Sequence, residues 1–579
     1  MRLRALSIVN YACIGEPGIT VPIDNIVTLI GPNNSGKSSI LDAYEAFAST
    51  GAALPLSCFR DENPKNTVSI SGVFSDITEE DREIIGTKWE HEDKDYGRCV
   101  RAKWEWSDPN EKGQKYSWDP VHNKWVPGGM GGWDTLITNR IPAPLRVKPT
   151  DDPEKTEAQI VEILTAAAKA ALKKDAQRAS KVLGELQALA DEFAKEAQKE
   201  LDETCETITK KLTHVFPGHE VRLQHSVGKI DADKIIGNGS HVRIKEPDRE
   251  AVSLSQQGAG LRRTFLWSAL GTLAEIGRFK KGKSTLPPER PRLLLIEEPE
   301  SFLHPPMIRS AREALYDLAE VEEWQVLTST HSPIFIDVSK PHTTIIRIEK
   351  MSLGSPQLFR SDNAQFTEDE RAQLRMIRAC HPTVNEFFFA DEVFLVEGET
   401  EQAVLNHLLS SEIEAQDLSR HVVNCMGKAN LPLFARILNQ FRTPYTIVHD
   451  ADAPKVQRVG RWVINSMWTL NKQIADVITE RGEAAPPCHL LVHIPNFEGY
   501  YFGEHLDRDK PYQALKVLRS EEFLISAKHT DLRSFFSLVA KGQHPGLYKT
   551  YKELKAKVQK WHEAVQPRPA EAWLIEDEE

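Results

Sequence analysis

The sequence has few cysteines and no cysteine pairs. Its seven cysteines are scattered along 579 residues, and none of them forms a Cys-x-x-Cys motif. They stand at positions 13, 58, 99, 205, 380, 425 and 488. This spacing argues against a disulfide framework and against a zinc site, and it fits a protein of the reducing cytoplasm.

Long apolar runs and an excess of positive charge are missing too. No segment has the unbroken stretch of about 20 apolar residues that crosses a bilayer, and Met1–Ile8 alternates like a strand instead of resembling a secretory signal. The net charge is −12, so any DNA contact must come from local patches. Two basic runs are candidates, although each taken alone is better explained as a solvated surface: Arg278, Lys280, Lys281 and Lys283, and Lys549, Lys552, Lys555, Lys557 and Lys560.

The chain is too long for one hydrophobic core, and we expect three or four structural units. Near the N-terminus, residues 25–30 predict a strand and residues 37–47 a helix. Residues 67–140 predict antiparallel strands, and six of the chain's twelve tryptophans fall between Trp89 and Trp133. We expect these aromatic side chains to form a sheet core; a base-stacking surface is the less favoured alternative.

Residues 151–212 predict a long helix pair or coiled coil. Asp151-Asp152-Pro153 is a good helix start, and Pro217-Gly218 ends the pattern. An apolar stripe runs along it: Leu183, Leu186, Ala190, Phe193, Ala197, Leu201, Ile208 and Leu212. We expect a dimerisation arm inserted into the first domain, with a DNA-binding arm as the weaker alternative.

The remaining chain alternates between helix and strand. Residues 250–350 read helix, strand, helix, strand, and residues 385–500 predict a second, smaller parallel α/β unit. Its predicted strands are 392–396, 421–425, 445–450 and 488–494, and its predicted helices are 401–409 and 431–441. The tail beyond residue 505 reads as helical and polar.

A complete phosphate-binding loop, Gly31–Ser39, lies between the first predicted strand and helix. Gly31 and Gly36 permit the tight turn, Lys37 would reach the β- and γ-phosphates, and Ser38 would ligate Mg²⁺. The residues predicted to bind the nucleotide here are Gly31, Asn33, Asn34, Ser35, Gly36, Lys37, Ser38 and Ser39.

Three downstream elements are the expected partners of this loop. Glu297 and Glu298 end an apolar strand; the first suits Mg²⁺ coordination through water and the second suits polarising the attacking water. His331 ends the next strand and could sense the γ-phosphate. A serine- and glycine-rich element, with Ser255, Gly258 and Gly260, precedes an apolar helix whose N-terminus can face a phosphate. Each element alone has an ordinary structural explanation, but their order favours a nucleotide site.

This ordered set resembles the ATP-binding-cassette head shared by SMC, Rad50 and RecF proteins, including a D-loop at Glu300–His304. The resemblance implies ATP with Mg²⁺, and a head-to-head dimer in which one subunit's signature completes the other's site. Two departures stand out: the signature is not Leu-Ser-Gly-Gly-Gln, and no Q-loop glutamine can be placed. ATP binding is therefore expected, but rapid turnover is not.

A second group of acids follows the strands of the smaller α/β unit: Glu397, Glu401, Asp450, Asp452 and Glu498. Two-metal cleavage of a phosphodiester needs carboxylates converging on ions about 4 Å apart, which adjacent parallel strand ends can provide. The order and spacing, with Gly427 after the second strand, resemble a Toprim domain. All five acids are candidate metal ligands, and Lys510 could stabilise the transition state, although Lys541 or another lysine would serve as well.

Over its whole length the chain resembles the OLD (overcoming lysogenization defect) family, to which the Gabija nuclease subunit is related. The resemblance implies an α/β fold: an ABC/SMC-like ATPase head with mixed sheets (1–150 and 221–384), an inserted helical arm (151–220), and a Rossmann-like Toprim domain with a helical tail (385–579). It also implies metal-dependent nicking or cleavage of DNA with Mg²⁺, Mn²⁺ or Ca²⁺, homo-oligomers formed through the heads, and frequently a role against phage. Some relatives act with a helicase or with a retron reverse transcriptase and its DNA.

Two other functions stay open. A RecF-like clamp or mediator would bind DNA with ATP but never cut it, and its acids would be structural. Toprim chemistry of the topoisomerase type would need a tyrosine nucleophile on a DNA-binding module, which is not apparent in the sequence; primer synthesis would indicate a primase.

Overall fold

The computed structural model shows two compact units, Met1–Leu358 and Phe359–Glu579. The described residues are 1–130, 140–148, 201–214, 216–224, 241–275, 280–281, 284–285, 291–337, 339–340, 343–349, 355–361, 367–380, 384–411, 419–479, 487–503 and 509–575. Among them, no helix is both long enough and apolar enough to cross a membrane.

An antiparallel sheet forms one layer of the first unit. Its order is Ile19–Pro22, Arg2–Val9, Val68–Ser75, Gly97–Trp106, Gln114–Asp119 and Lys124–Pro127, and His91–Asp93 pairs with Gly97–Trp106. Alternate residues of Gly97–Trp106 are buried, as expected for a strand with one face on a core. Trp89, Trp104 and Trp106 lie in that core, as predicted. Trp118 and Trp125 are half-buried and pack edge-on against each other outside it, and Trp133 lies outside the described residues.

The second layer is a six-stranded sheet that carries the phosphate loop. Its order is Gln357–Arg360, Thr343–Glu349, Ile26–Ile30, Trp324–Ser329, Arg292–Glu297 and Ala143–Val147. The strands from Thr343–Glu349 to Ala143–Val147 are parallel. Ile26–Ile30 is buried along its whole length, as a central parallel strand requires. The predicted alternation of helix and strand after residue 250 is confirmed.

The other elements of the first unit surround these sheets. Its helices are Lys37–Phe47, Glu79–Ile85, Ala259–Glu275 and Pro305–Glu320, and residues 201–213 are also helical. Its smaller sheets contain Glu220–Gln224, His241–Lys245 and Val252–Ser253, and Lys280–Lys281 with Ser284–Thr285. Most of the predicted arm 151–220 lies outside the described residues; of its stripe, Leu201, Ile208 and Leu212 are buried in the core.

The second unit is built on a five-stranded sheet. Its order is Arg420–Asn424, Glu392–Val396, Tyr445–Asp450, Cys488–His493 and Leu547–Tyr548; the first four strands are parallel and the last is antiparallel. Its helices are Glu368–Cys380, Glu399–Ser411, Leu431–Phe441, Ser466–Thr479, Phe497–Phe502, Lys510–Leu518, Glu521–Leu524, Ala527–Arg533, Phe535–Ala540 and Tyr551–Val565. A separate two-stranded ribbon pairs Lys455–Arg458 with Arg461–Ile464.

The smaller parallel α/β unit is confirmed. The division after Leu358 falls inside the predicted segment 221–384, and the boundary drawn at residue 384 stays a prediction. The tail beyond 505 is largely helical, but it also contains the strand Leu547–Tyr548, which the sequence pattern did not indicate.

Candidate functional site

The phosphate loop joins the strand Ile26–Ile30 to the helix Lys37–Phe47. Gly31 and Gly36 both have positive φ, 144° and 103°. A Cβ on Gly31 would lie 2.3 Å from the carbonyl oxygen of Ile348, so this position needs glycine both for conformation and for space. The conformation of the loop therefore depends on its two glycines, Gly31 and Gly36.

Side chains of the loop are arranged to meet an anion. The Lys37 ammonium donates to the carbonyl oxygens of Gly31 and Pro32, both at 2.8 Å. The Ser35 hydroxyl is buried, and no described residue is its hydrogen-bond partner. The other predicted loop residues, Asn33, Asn34 and Ser38, are exposed and Ser39 is half-buried. The Lys37 ammonium and the Ser35 hydroxyl are therefore hydrogen-bond donors that suit a bound phosphate.

A cavity of ≈ 370 Å³ opens beside this loop. Its lining includes Asn34 and Ser35 from the loop and Cys13, Phe59 and Arg60 from outside it. Its volume lies within the usual range of small-molecule sites, about 300–1,000 Å³. The cavity is therefore of the size of a small-molecule site and lies next to the loop.

Glu298 and His331 share the electrostatic environment of Lys37. Burial lowers the pKa of Lys37, and the negative charge of Glu298 opposes that shift. Burial, and then the Lys37 charge, lower the pKa of His331. Glu298 has a left-handed backbone (φ 42°), unusual for a non-glycine residue, and accepts a hydrogen bond from Ser301 Oγ at 2.8 Å. The structure thus brings three of the predicted residues together.

Glu297 has a partner that sequence reasoning missed. Its Oε1 pairs with Arg146 of the adjacent strand Ala143–Val147, and the same guanidinium lies 2.8 Å from Asp42 Oδ1 on the phosphate-loop helix. The only sequence signal was a single arginine in an otherwise apolar segment. Glu297 is therefore held by a buried cation.

The predicted signature segment lies against the D-loop. A Cβ on Gly260 would lie 2.4 Å from the carbonyl oxygen of Phe302, and Gly258 has open space around it. Ser255 Oγ is 2.9 Å from Ser253 Oγ, and within the described ranges no hydrogen bond joins Ser255 to the phosphate loop. In the D-loop, Glu300 accepts from Thr330 Oγ1 and from the His331 N–H, each at 2.8 Å.

In the second unit, two acids meet at neighbouring strand ends. Glu397 follows Glu392–Val396, and Asp450 ends Tyr445–Asp450. The Asp450 N–H donates to Glu397 Oε1 at 2.7 Å, and the Phe497 N–H donates to Asp450 Oδ1 at 2.7 Å. Carboxyl ends of parallel strands lie at one edge of a sheet, which is why residues far apart in sequence converge here.

Glu401 and Glu498 belong to the same cluster. Burial raises the pKa of Glu401 to about 7, and the charge of Glu498 adds to the shift. Burial also raises the pKa of Glu397 to about 7, opposed by the Lys428 charge. Asp450 has its pKa raised well above the usual value by burial and then by Glu397, Glu401 and Glu498. The four carboxyl groups therefore repel one another when no cation lies among them.

A buried lysine lies at one side of this group, next to Asp452 and Glu397. Lys428 Nζ donates to the Asp450 carbonyl oxygen at 2.5 Å and to Asp452 Oδ2 at 2.6 Å, and lies 4.0 Å from Glu397 Oε1. Its side chain is 1% exposed. Sequence reasoning singled out the preceding Gly427, whose N–H donates to the Glu397 carbonyl oxygen at 2.7 Å, but passed over Lys428.

The two lysines proposed from sequence lie further out. Lys510 Nζ is 3.1 Å from Glu498 Oε1 and its side chain is 54% exposed. Lys541 is exposed at the end of the helix Phe535–Ala540. Lys510 therefore lies beside the acid cluster.

The chemistry of the acid cluster suits a hard divalent cation. Its carboxylate oxygens are of the ligand type that Mg²⁺, Mn²⁺ and Ca²⁺ prefer. Among the described residues, the one group of three or more metal-ligand side chains whose ligand atoms all lie within 4.8 Å of one another is His91, Asp93 and Cys99 in the first unit, so the acids of the second unit are spread more widely. There Arg101 pairs with Asp93, and burial raises the pKa of the Cys99 thiol to about 11, which suits a salt-bridged hairpin better than a cation site.

Comparisons with known proteins match both units. The family model described as AAA ATPase domain matches residues 1–117 and 138–336, and the model described as Overcoming lysogenization defect protein-like, TOPRIM domain matches residues 388–452. The chain is similar to the Old nuclease of Escherichia phage P2, with 26% identity over 476 residues, 78% of this chain and 77% of that protein. It is similar to the OLD nuclease of Thermus scotoductus, with 26% identity over 230 residues, 39% of this chain and 44% of that protein.

Solved structures of SMC heads are more distant. The SmcHead bound to the C-winged helix domain of ScpA has 14% identity and a TM-score of 0.42, and covers 62% of this chain and 98% of that chain. The SMC head domain from Thermotoga maritima has 14% identity and a TM-score of 0.34, with coverage of 62% and 98%.

Proposed function

We propose, from the premise that the chain belongs to the AAA ATPase domain family and carries a Toprim domain of the overcoming lysogenization defect type, that it is an ATP-dependent nuclease acting on DNA. The observation that carries the proposal is the hydrogen bond of 2.7 Å from the Asp450 N–H to Glu397 Oε1. It joins two acids that are 53 residues apart in the chain.

The residues that would hold divalent cations are Glu397, Glu401, Asp450, Asp452 and Glu498. A bound cation would supply Lewis acidity and lower the pKa of a bound water. This chain's own residues do the positioning. The Phe497 N–H orients the Asp450 carboxylate and Lys428 fixes Asp452. Lys510, paired with Glu498, would stabilise the charge that develops on the phosphate.

In the first unit, the phosphate loop would bind ATP with Mg²⁺. Lys37 would contact the β- and γ-phosphates, Ser38 the Mg²⁺, Glu298 the attacking water and His331 the γ-phosphate. We further propose a homodimer through the heads, completed by the signature segment with Ser255, Gly258 and Gly260. A role against phage, alone or with a helicase or retron partner, completes the proposal.

The test is nicking of supercoiled plasmid, with and without ATP, in Mg²⁺, Mn²⁺ and Ca²⁺. Glu397→Gln and Asp450→Asn should each lower nicking by at least about 100-fold, as expected for lost transition-state stabilisation of about 3 kcal/mol, and should leave ATP binding intact. Glu399→Gln is the matched control, because Glu399 is exposed at the start of the helix Glu399–Ser411, two residues after Glu397. If both variants still nick the plasmid, the acid cluster does not take part in the reaction. If the protein binds DNA but does not cut it with any of the three metals, the alternative function of a DNA clamp is favoured.

A further inference from the structure

A two-stranded ribbon, residues 455–464, follows directly after the acid cluster. Lys455–Arg458 and Arg461–Ile464 pair only with each other among the strands that the structure describes. The ribbon begins three residues after Asp452. Its base is closed by Asn465, whose N–H donates to the Pro454 carbonyl oxygen and whose side-chain amide donates to the Ala453 carbonyl oxygen, both at 2.9 Å.

The tip of the ribbon is strained. Val459 and Gly460 form a two-residue turn with φ of 48° and 74°, the combination for which asparagine–glycine is favoured. A β-branched residue with positive φ is an outlier that costs conformational energy. Val459 is also fully exposed, so no packing within the described chain offsets that cost. Strain of this kind points to a role outside folding.

The next pair of residues adds an electrostatic conflict. Arg458 and Arg461 are directly opposite each other in the ribbon's register, so their side chains project from the same face. Like charges at directly opposed positions destabilise a strand pair. Both residues are exposed, and among the described residues neither forms an ion pair with a carboxylate. A phosphate between the two guanidinium groups would remove this repulsion.

We propose, building on the nuclease function above, that this ribbon is a DNA-binding element in which Arg458 and Arg461 contact backbone phosphates and Val459 packs against the sugar or base edges. Three residues of extended chain reach at most about 11 Å, so the ribbon's base lies beside the metal ligand Asp452. Four residue pairs extend about 14 Å, and the major groove of a duplex admits a two-stranded ribbon. In a chain of net charge −12, this is a local positive patch next to the site of cutting.

The test is binding of a duplex DNA oligomer by the full chain, measured by fluorescence anisotropy across a KCl series in EDTA. The plot of log K against log[KCl] has a negative slope, and each phosphate contact on duplex DNA contributes about 0.9 to its magnitude. The double variant Arg458→Gln/Arg461→Gln loses two contacts, so the magnitude of its slope should be smaller by about 2. Arg519→Gln/Arg533→Gln is the matched control, because it removes two exposed arginines of the same unit and should leave the slope unchanged.

The tip is tested separately. Val459→Asn installs the residue that the turn favours, so the melting temperature should stay level or rise while nicking of plasmid falls at least about tenfold. A fall in both quantities would mean only lost folding and would contradict the role of the tip.

The outcomes separate the two proposals. If the wild-type protein nicks plasmid but the double variant keeps its slope, the ribbon does not bind DNA and the nuclease assignment stands. If no metal supports nicking, the nuclease assignment fails, and the salt slope still decides whether the ribbon binds DNA. If Val459→Asn changes the self-association of the protein but leaves the salt slope of DNA binding unchanged, the ribbon forms a contact between copies of the chain. That result would contradict the proposal.

Discussion

Lys428 is the only described cation whose ammonium group contacts the acid cluster from within the protein interior. We predict that Lys428→Met lowers the stability of the metal-free protein by about 3 kcal/mol, because breaking a buried ion pair leaves charge without a partner. With Mg²⁺ present the loss should be smaller, since a divalent ion would restore positive charge. The measurement is thermal and urea unfolding of the full chain in EDTA and in MgCl₂.

Lys510→Met is the control for this prediction. The Lys510 side chain is 54% exposed in its pair with Glu498, so its removal should change stability by less than about 1 kcal/mol. Equal losses for Lys428→Met with and without Mg²⁺ would show that Lys428 stabilises the fold without compensating the acids.

The raised pKa values of Glu397 and Glu401 give a pH dependence with a defined sign. Both shift from 4.5 to about 7, so between these values the folded protein holds protons that the unfolded chain releases. Metal-free stability should therefore fall as pH rises from about 4.5 to 7. Divalent cations need ionised carboxylates, so their affinity should rise over the same window.

Calorimetric Mn²⁺ titrations and unfolding in EDTA, both from pH 5 to 8, check this expectation. Glu397→Gln/Glu401→Gln should flatten the stability profile. A wild-type profile that rises through this window without metal would contradict the assigned protonation.

The acids of the second unit could be found from sequence because each follows an apolar strand that ends in a turn. Glu397 and Asp450 were found in this way, and the structure brings them into hydrogen-bonding contact. Lys428 could not be found, because lysine side chains are usually exposed and only the fold around the loop after Gly427 buries this one. A contact that forms only because the folded chain brings distant residues together cannot be predicted from a local sequence pattern.

At the scale of elements, Arg146 links three parts of the nucleotide site. From the strand Ala143–Val147 it pairs with Glu297 and with Asp42 on the phosphate-loop helix, and its side chain is 7% exposed. We predict that Arg146→Met destabilises the first unit by about 3 kcal/mol, because two acids lose their buried partner. Urea unfolding followed by tryptophan fluorescence measures this loss.

Arg249→Met is the matched control. The Arg249 side chain is 76% exposed in its pair with Glu246, and its loss should cost less than about 1 kcal/mol. If Arg146→Met is no worse than this control, the buried network does not hold the elements together.

Long periodic elements could be predicted and short ones could not. The helices Lys37–Phe47 and Leu431–Phe441 and the strands Glu392–Val396 and Tyr445–Asp450 have the bounds that the sequence predicted. Leu547–Tyr548 has only two residues and exists because a distant strand pairs with it. The ribbon was missed because Val459-Gly460 lacks the asparagine or aspartate that usually marks such a turn.

At the scale of the molecule, each unit has its own hydrophobic core. We therefore predict that the two sites can be disabled one at a time. Lys37→Ala should abolish binding of a fluorescent ATP analogue and leave Mn²⁺ affinity, measured without nucleotide, within about twofold. Glu397→Gln should do the reverse. Loss of Mn²⁺ binding in Lys37→Ala would contradict separate folding of the units.

The overall architecture could be predicted from the order of motifs, because the phosphate loop, the Glu297–Glu298 strand and the acid-bearing strands each mark one part of a sheet. The division between the units could not be placed as well. Residues 359–384 carry no motif, and the described ones among them (359–361, 367–380 and 384) are assigned to the second unit only by their packing.

The strand Leu547–Tyr548 has a practical consequence for making fragments of this protein. It pairs with Leu490 and Leu491, while Phe536 lies edge-on to Phe394, with ring centroids 4.8 Å apart. A recombinant piece trimmed to residues 388–452, the span of the matching family model, would leave that ring and a strand edge bare and should precipitate on expression. A trimmed version must extend at least through Tyr548 to keep these contacts, and the helix Tyr551–Val565, which buries Leu554 and Val558, belongs in it too.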